Sequence, residues 1–275
     1  MRLRRFGSDE MRLATLNIGG PSVVRAEALL RYLPALGADV LALTETRPND
    51  GTRLLIAGLR QQGWSVVDPT IAESRERGVA LAFREPARCA DFETSEGVTL
   101  AHRLAGATVT SFAGDAVILG VYVPSRDAST TKIARKQTFI DQLVDVVRDH
   151  AGRPLVLLGD LNVVSRSHLP KYSAFRSWEY DLFDALGETD LVDAFSYLHP
   201  STQAHSWIGR TGAGYRYDYA FVSASLATSI SSCVYDHTAR DARLTDHAAV
   251  ILTVADFALA LASTATTATD DMVGV

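Results

Sequence analysis

Residues 153–164 read Arg-Pro-Leu-Val-Leu-Leu-Gly-Asp-Leu-Asn-Val-Val. Four consecutive apolar residues, Leu155 to Leu158, entered through Pro154, have the pattern of a strand buried on both faces. The run stops at Gly159, and Asp160 and Asn162 follow at once. Residues two apart on an extended backbone point to the same side, so this carboxylate and this carboxamide are expected to project together. A strand end that delivers an anion and an amide into one space suits a divalent cation, a phosphate, or a water to be deprotonated. The plain alternative is a turn, because Gly, Asp and Asn are common turn formers. The remaining stretches decide between the two.

Immediately upstream, Thr130 or Thr131 is expected to cap a long helix to about His150, with Ile133, Ile140, Leu143, Val144 and Val147 on its core face. Strands are predicted before it at 78–83, 98–104, 107–112 and 116–123, several joined by hairpin-length turns. The chain begins with a strand over 13–18 that ends in Asn17-Ile18-Gly19-Gly20. A helix opened by Pro21 follows, with Val24, Ala28, Leu29 and Leu33 on one face. A second buried strand over 38–43 ends in Thr44-Glu45-Thr46. Next come a helix over 51–62 and a short strand over 64–67. Downstream of the quoted stretch, a helix is predicted over 174–187 and strands over 215–223, 230–235 and 248–254. Strands thus run the whole length, in mixed hairpin and βα connections with helices between. The pattern predicts an α/β fold: a four-layer α/β sandwich, two packed mixed β-sheets flanked by helices. Residues 1–10 are expected to form a flexible extension, 11–258 a single domain, and 259–275 a disordered tail.

The bulk properties narrow the class. A chain of 275 residues, 47% hydrophobic and 21% charged, is an ordinary globular protein able to bury a large core. The net charge of -5 gives no bulk attraction to nucleic acid or anionic membrane, although a local basic groove can sit on an acidic protein. Cys89 and Cys233 make neither a disulfide framework nor a metal-ligand spacing, so a reducing compartment is expected. No apolar run approaches the 18 or so residues of a membrane span. The basic N-terminus leads into Gly7-Ser8-Asp9-Glu10 rather than an apolar segment. A cytoplasmic monomer without membrane contact is expected.

Several strands share one feature: a buried apolar run ends in a residue able to bind metal or donate a hydrogen bond. Asn17 ends the first, Glu45 the second, Tyr122 the strand before the long helix, and Asp160 with Asn162 the quoted one. Later, Tyr215-Arg216-Tyr217-Asp218-Tyr219 sets Asp218 inside an aromatic strand, and Thr245-Asp246-His247 precedes the last strand. Each has an innocent explanation: a solvated loop carboxylate, a turn residue, a core tyrosine, a cap. Asp218 is the hardest to dismiss, because an ionised carboxylate does not sit unpaired among apolar side chains. Independent turns would not place Asn, Glu, Asp, Asn, Asp and His at successive strand ends in this order.

The ordered set resembles the endonuclease/exonuclease/phosphatase superfamily, and within it the exodeoxyribonuclease III and apurinic endonuclease branch. The residues that carry the resemblance are Leu16-Asn17-Ile18, Leu43-Thr44-Glu45-Thr46, Tyr122-Val123-Pro124, Gly159-Asp160-Leu161-Asn162, Tyr215 to Tyr219 and Thr245-Asp246-His247. They span 13–254. Lys132 to Ile140, Asp190 to Phe195 and Ser206-Trp207 resemble the same branch.

The resemblance implies a metal-dependent phosphodiesterase acting on DNA, with Glu45 the principal ligand of Mg²⁺ or Mn²⁺ and Asn17, Asp160 and Asp246 near or in its shell. It implies that His247, oriented by Asp218, bonds the scissile phosphate or acts as acid or base, and that Asp160 orients or deprotonates water. Asn162 and Tyr122 would contact phosphate oxygens. Which of Asp160 and His247 is the base stays open. Arg126, Lys132, Arg135 and Lys136 form a basic cluster where backbone phosphates would approach, with Arg210 among the residues extending it. A solvated helix face explains the cluster equally well. Tyr215 stands where the resemblance puts an aromatic lining the abasic-sugar pocket. Thr245 for Ser, Ala249 for Pro, Gly19 for Asp, and Ser125 for Asn or Gly depart from the branch's pattern. Three readings remain: a DNA 3′-exonuclease or abasic-site endonuclease; the same chemistry on RNA ends, a tyrosyl-DNA adduct, a phospholipid or a small ester; and a non-catalytic binding protein.

Overall fold

The computed structural model describes residues 10–68, 76–85, 87–93, 97–111, 114–172, 174–209 and 211–255. The expected extension and tail, and Arg210, lie outside the described residues apart from residue 10. In chain order the first elements are β1 (Met11–Asn17), α1 (Val23–Ala35), β2 (Val40–Thr46), α2 (Asp50–Gln61), β3 (Ser65–Val67), β4 (Gly78–Phe83) and β5 (Arg88–Glu93). Then come β6 (Leu104–Ser111), β7 (Gly114–Tyr122), α3 (Thr130–Asp149), β8 (Leu155–Asp160), α4 (Ser177–Glu188), β9 (Leu191–Asp193) and α5 (Ala194–Leu198). The last are β10 (Trp207–Ile208), β11 (Gly214–Tyr215), β12 (Asp218–Ser223), α6 (Ala224–Ala227), β13 (Ile230–Asp236), α7 (Thr238–Asp241) and β14 (Ala249–Val254).

Two six-stranded mixed sheets result, ordered β13-β14-β1-β2-β4-β3 and β5-β6-β7-β8-β12-β9. Each holds one parallel pair, β1 with β2 and β7 with β8, among antiparallel neighbours. The period-2 alternation of every strand sorts its residues into layers. Even-numbered Val156 and Leu158 of β8 join Leu13, Ala42, Ile118, Ala220 and Leu252 in the core between the sheets. Odd-numbered Leu155 and Leu157 instead meet Phe139, Leu143, Leu182 and Leu186 of α3 and α4. On the other outer face, Leu16, Leu41 and Leu43 pack under Leu29 and Leu33 of α1 and Leu55 and Leu59 of α2. Helix, sheet, sheet, helix is the expected four-layer order.

Local details depart from the sequence reading. Val24 is 73% exposed, because the face of α1 that meets the sheet is set by Ala26, Leu29 and Leu33. Ser129, not a threonine, caps α3, its hydroxyl accepting from Lys132 N. The strand expected over 98–104 is a short 3₁₀ turn, Ala101–Arg103, before β6 begins at Leu104. The strand over 215–223 breaks at Arg216 and Tyr217, where the Arg216 guanidinium pairs with Asp193 and lies over Tyr219.

Candidate active site

Strand parity carries the polar strand ends into the space between the sheets. Asp160 continues the inward-facing series of Val156 and Leu158, and its cross-strand neighbours are Tyr122 on β7 and Asp218 on β12. Asn17 ends β1 beside Thr44 of β2 on the facing sheet. Its Nδ2 donates to Asp160 Oδ2 at 2.9 Å, a buried bond that joins the two sheets. Behind Asp160, Asp218 Oδ2 lies 2.7 Å from His247 Nδ1. Thr245 Oγ1 donates to the Asn17 carbonyl at 2.6 Å and so fixes the loop that carries Asp246 and His247. Trp207 Nε1 donates to Asp246 Oδ2 at 2.8 Å, and the Trp207 backbone bridges that of His247.

Two backbone distortions build the site. Odd-numbered Leu41 and Leu43 face the helices, so an undistorted β2 would send Glu45 outward as well. The pairing of β2 with β4 instead shifts register between Thr44 and Thr46, and Glu45 takes φ +58°. Such a bulge re-aims one side chain, and an unfavourable φ at a non-glycine residue is a feature of functional sites. Glu45 Oε1 thereby accepts from Tyr122 Oη and from Arg77 Nη1, each at 2.6 Å. In the other sheet Gly159 has φ +148°, and a Cβ there would lie 1.9 Å from Val121 O. Only glycine lets β8 approach β7 this closely just before Asp160.

The electrostatics follow from this crowding. Burial, then the neighbouring Asp218 and Glu45 carboxylates, push Asp160 up to about 7 against the pull of His247 and Asn17. Burial disfavours a charged His247, but Asp218 on its Nδ1, with Asp160 and Asp246 nearby, more than offsets this and raises it to about 9. Burial and the Glu45 and Asp160 charges push Tyr122 well above its ordinary value, so its hydroxyl stays a donor. Glu45, Asp246 and His247 line a cleft of about 690 Å³ together with Arg25, Arg77, Arg240 and Arg243.

Not every predicted residue lies where expected. Lys136 is 1% exposed, its Nζ donating to Glu179 Oε1 and to the Asn162 carbonyl, both at 2.8 Å. Arg126 is bound to the same Glu179. These two are core ion-pair partners and not surface cations. Lys132 is exposed and paired with Asp127 at 2.7 Å, and Arg135 with Glu76 at 2.5 Å. Asn162 corrects the idea that it projects with Asp160. At φ +49° its N–H caps Asp160 Oδ1 at 2.8 Å while its Nδ2 turns to Val123 O at 2.9 Å. The turn reading therefore holds for Asn162, and the inward projection expected at the strand end holds for Asp160 alone. Tyr215 stacks on Tyr172 at 4.2 Å and on Tyr217 at 5.3 Å, beside Trp207. Sequence reasoning named Ser206 only through the resemblance and missed that its Oγ accepts from the Tyr217 and Asp218 N–H groups, and it missed the contact of Arg77 with Glu45.

The donor set fits a hard divalent cation. Glu45, Asp160 and Asp246 offer carboxylate oxygens and Asn17 an amide oxygen, the ligands Mg²⁺ and Mn²⁺ prefer. Asp160, Asp218 and His247 have ligand atoms within 4.8 Å of one another. Burial, with repulsion from Asp218 and Glu45, raises Asp160, and a bound cation would relieve that strain.

Known proteins share this fold. The Endonuclease/Exonuclease/phosphatase family model matches residues 14–247. Over 238 residues the chain is 26% identical to an exodeoxyribonuclease of Bacillus subtilis (strain 168), covering 80% of this chain and 91% of that protein. An AP endonuclease from Archaeoglobus fulgidus has a similar fold, with a TM-score of 0.75 at 21% identity over 90% of this chain and 99% of that one. The 3′ phosphatase NExo from Neisseria, solved with product DNA hairpin, gives 0.74 at 25% identity over 88% and 98%. With a match that runs from the first strand through to His247, the chain belongs to the Endonuclease/Exonuclease/phosphatase family.

Proposed function

We propose that this protein is a Mg²⁺- or Mn²⁺-dependent phosphodiesterase that hydrolyses DNA, as a 3′-exonuclease, an abasic-site endonuclease or both. The observation that carries this reading is the buried contact chain from Asn17 through Asp160, with the Asp218–His247 pair behind it, meeting Glu45 at one cleft. When bound, the cation would supply Lewis-acid stabilisation of charge on the phosphate, held by Glu45 with Asp160, Asn17 and Asp246 near it. His247, cationic below about pH 9, is suited to donate a hydrogen bond to a phosphate oxygen. Asp160, raised by burial and by Asp218 in the metal-free protein, is placed to accept the proton of an attacking water. Asp218 holds Nδ1 and so leaves His247 its other ring nitrogen for the substrate. Tyr122 fixes the Glu45 carboxylate through its hydroxyl.

Nucleic acid fits the surroundings. Four arginines line the cleft, and the Tyr172, Tyr215, Tyr217 and Trp207 rings form an aromatic wall beside His247 on which bases or sugars can stack. The exodeoxyribonuclease and AP endonuclease relatives support DNA as the polymer. The enzyme is read as a cytoplasmic monomer. No helix among the described residues is long and apolar enough to cross a membrane.

A substrate panel tests the proposal: duplex DNA with a 3′ end, abasic duplex, single-stranded DNA, RNA and a phosphomonoester, each with Mg²⁺, Mn²⁺ or chelator. Cleavage of DNA with metal is expected, with Glu45→Gln, Asp160→Asn and His247→Gln each lowering kcat/KM about a thousandfold or more. Undiminished hydrolysis in chelator would refute the metal requirement, and action on the phosphomonoester alone would refute the polymer.

A further inference from the structure

A cation outside the family resemblance reaches into the carboxylate cluster. Arg77 stands just ahead of β4, whose first residue, Gly78, is buried, so its backbone is anchored while its side chain remains 37% exposed. Its Nη1 sits on Glu45 Oε1, the oxygen that also receives the Tyr122 hydroxyl, and both Arg77 and Glu45 line the cleft with Asp246 and His247. A guanidinium stays charged at any working pH. It therefore competes directly with a divalent ion for the carboxylate expected to hold that ion. Two cations on one carboxylate repel, and the outer, flexible one is the one that gives way.

We propose that Arg77 is an exchangeable counter-ion: it holds Glu45 in the metal-free protein, yields that carboxylate when the ion binds, and then clamps an oxygen of the substrate phosphate beside the ion. The inference rests on the metal-dependent phosphodiesterase reading of the cleft. Its physical logic has two parts. Without the ion, Glu45, 14% exposed and held at an unfavourable φ, would be a largely desolvated anion, and Arg77 supplies the compensation. With the ion present, the freed guanidinium sits at the rim with a planar fork that matches two phosphate oxygens, a geometry a lysine does not provide.

Mn²⁺ binding to the full-length protein, followed by electron paramagnetic resonance of the free ion, tests the first part without any turnover. Arg77→Gln is expected to bind Mn²⁺ about threefold more tightly than wild type, the scale of a partly exposed ion pair, and Arg77→Lys to stay near wild type. Glu45→Gln is expected to lose most binding. Calorimetric titration of inorganic phosphate into the Mn²⁺-saturated protein tests the second part. Arg77→Gln is expected to weaken phosphate about tenfold, with Arg77→Lys between. Tight, Glu45-dependent Mn²⁺ binding that Arg77→Gln leaves unchanged or weakens overturns the exchange while sparing the metal reading. Unchanged phosphate affinity overturns the clamp. Absence of Mn²⁺ binding by the wild-type protein overturns the metal reading itself and the inference with it.

Discussion

Replacing Asp218 by Asn should remove most of the pH dependence of stability above neutrality. Asp218 is fully buried and pairs with His247, which is itself 7% exposed, so the pair has little solvent to screen it. His247 titrates at about 9 in the native metal-free protein and at about 6.5 in the unfolded chain. A group whose native value is raised contributes its full stabilisation below the unfolded value and loses it as the pH rises through the native one. At about 1.4 kcal/mol per pH unit, the imidazolium is worth roughly 3 kcal/mol below pH 6.5, and about 2.5 kcal/mol of that disappears between pH 7 and 9.5. Asp160, raised to about 7, has the same sign, but its contribution is gone by the alkaline side of neutrality. The buried Cys233 thiol, pushed up to about 12, adds a decline of the same sign near the top of this window, but wild type and Asp218→Asn share it, so the difference between the two proteins isolates His247. The assay is urea unfolding of chelator-treated wild type and Asp218→Asn at half-unit pH intervals, with the slope m checked for constancy. In the variant the Asp218 carboxylate is gone while burial remains, so the imidazole should titrate well below its wild-type value. The decline above pH 7 should then be smaller than in wild type by about 2 kcal/mol, leaving the part due to Cys233. An undiminished decline in Asp218→Asn would refute the assignment of the pair, whatever happened to activity.

Two further outcomes follow from the packing. Gly159→Ala should destabilise by about 3 kcal/mol or more or fail to fold, because its Cβ would meet Val121 O at 1.9 Å, whereas Gly152→Ala, at φ +81° in open space, should cost about 1 kcal/mol; thermal melts of the two compare them directly, and equal small losses would mean that β8 does not need its close approach to β7. Lys136→Met should cost about 3 kcal/mol by urea unfolding, since it strips Glu179 of one of its two buried cations and the Asn162 carbonyl of its donor; a change under 0.5 kcal/mol would show the ion pair to be neutral against an apolar replacement.

The sheets and most of the site were legible because both follow from period 2. Once Leu155 to Leu158 is read as a doubly buried strand, parity alone sends Asp160 to the face of Val156 and Leu158, and the same count places Asn17, Tyr122 and Asp218 there. Glu45 is different. By parity it faces the helices, and nothing in Thr44-Glu45-Thr46 announces the bulge that turns it into the cleft. The resemblance supplied what local physics could not. Lys136 was the opposite case, a signal present and not used. It stands three, four and seven residues before Phe139, Ile140 and Leu143, on the buried stripe of α3, and Glu179 stands likewise three and seven before Leu182 and Leu186 on α4. Opposite charges on two core stripes imply a buried pair, not a phosphate-binding surface. Trp207 and Tyr215 face each other across the two-residue strands β10 and β11, too short to carry a periodicity, and Tyr172 joins Tyr215 from a loop far away in sequence.

The site is also a joint, and that links its chemistry to the fold. Asn17 belongs to one sheet and Asp160 to the other, and their bond crosses the interface at its polar end, where the apolar core of Leu13, Val156, Leu158 and Leu252 stops. Folding brings Glu45, Asp160 and Asp218 together there at an electrostatic cost recorded in the raised Asp160. Arg77 offsets part of that cost from the side of the first sheet and His247 from the loop before β14. A cation held between Glu45 and Asp160 would draw on ligands from both sheets, so its binding energy would appear as folding energy of the whole domain. The strain that folding stores in the carboxylate cluster is the same quantity that a bound divalent ion would relieve, which ties the residues that most disturb an apolar core to their place at its edge.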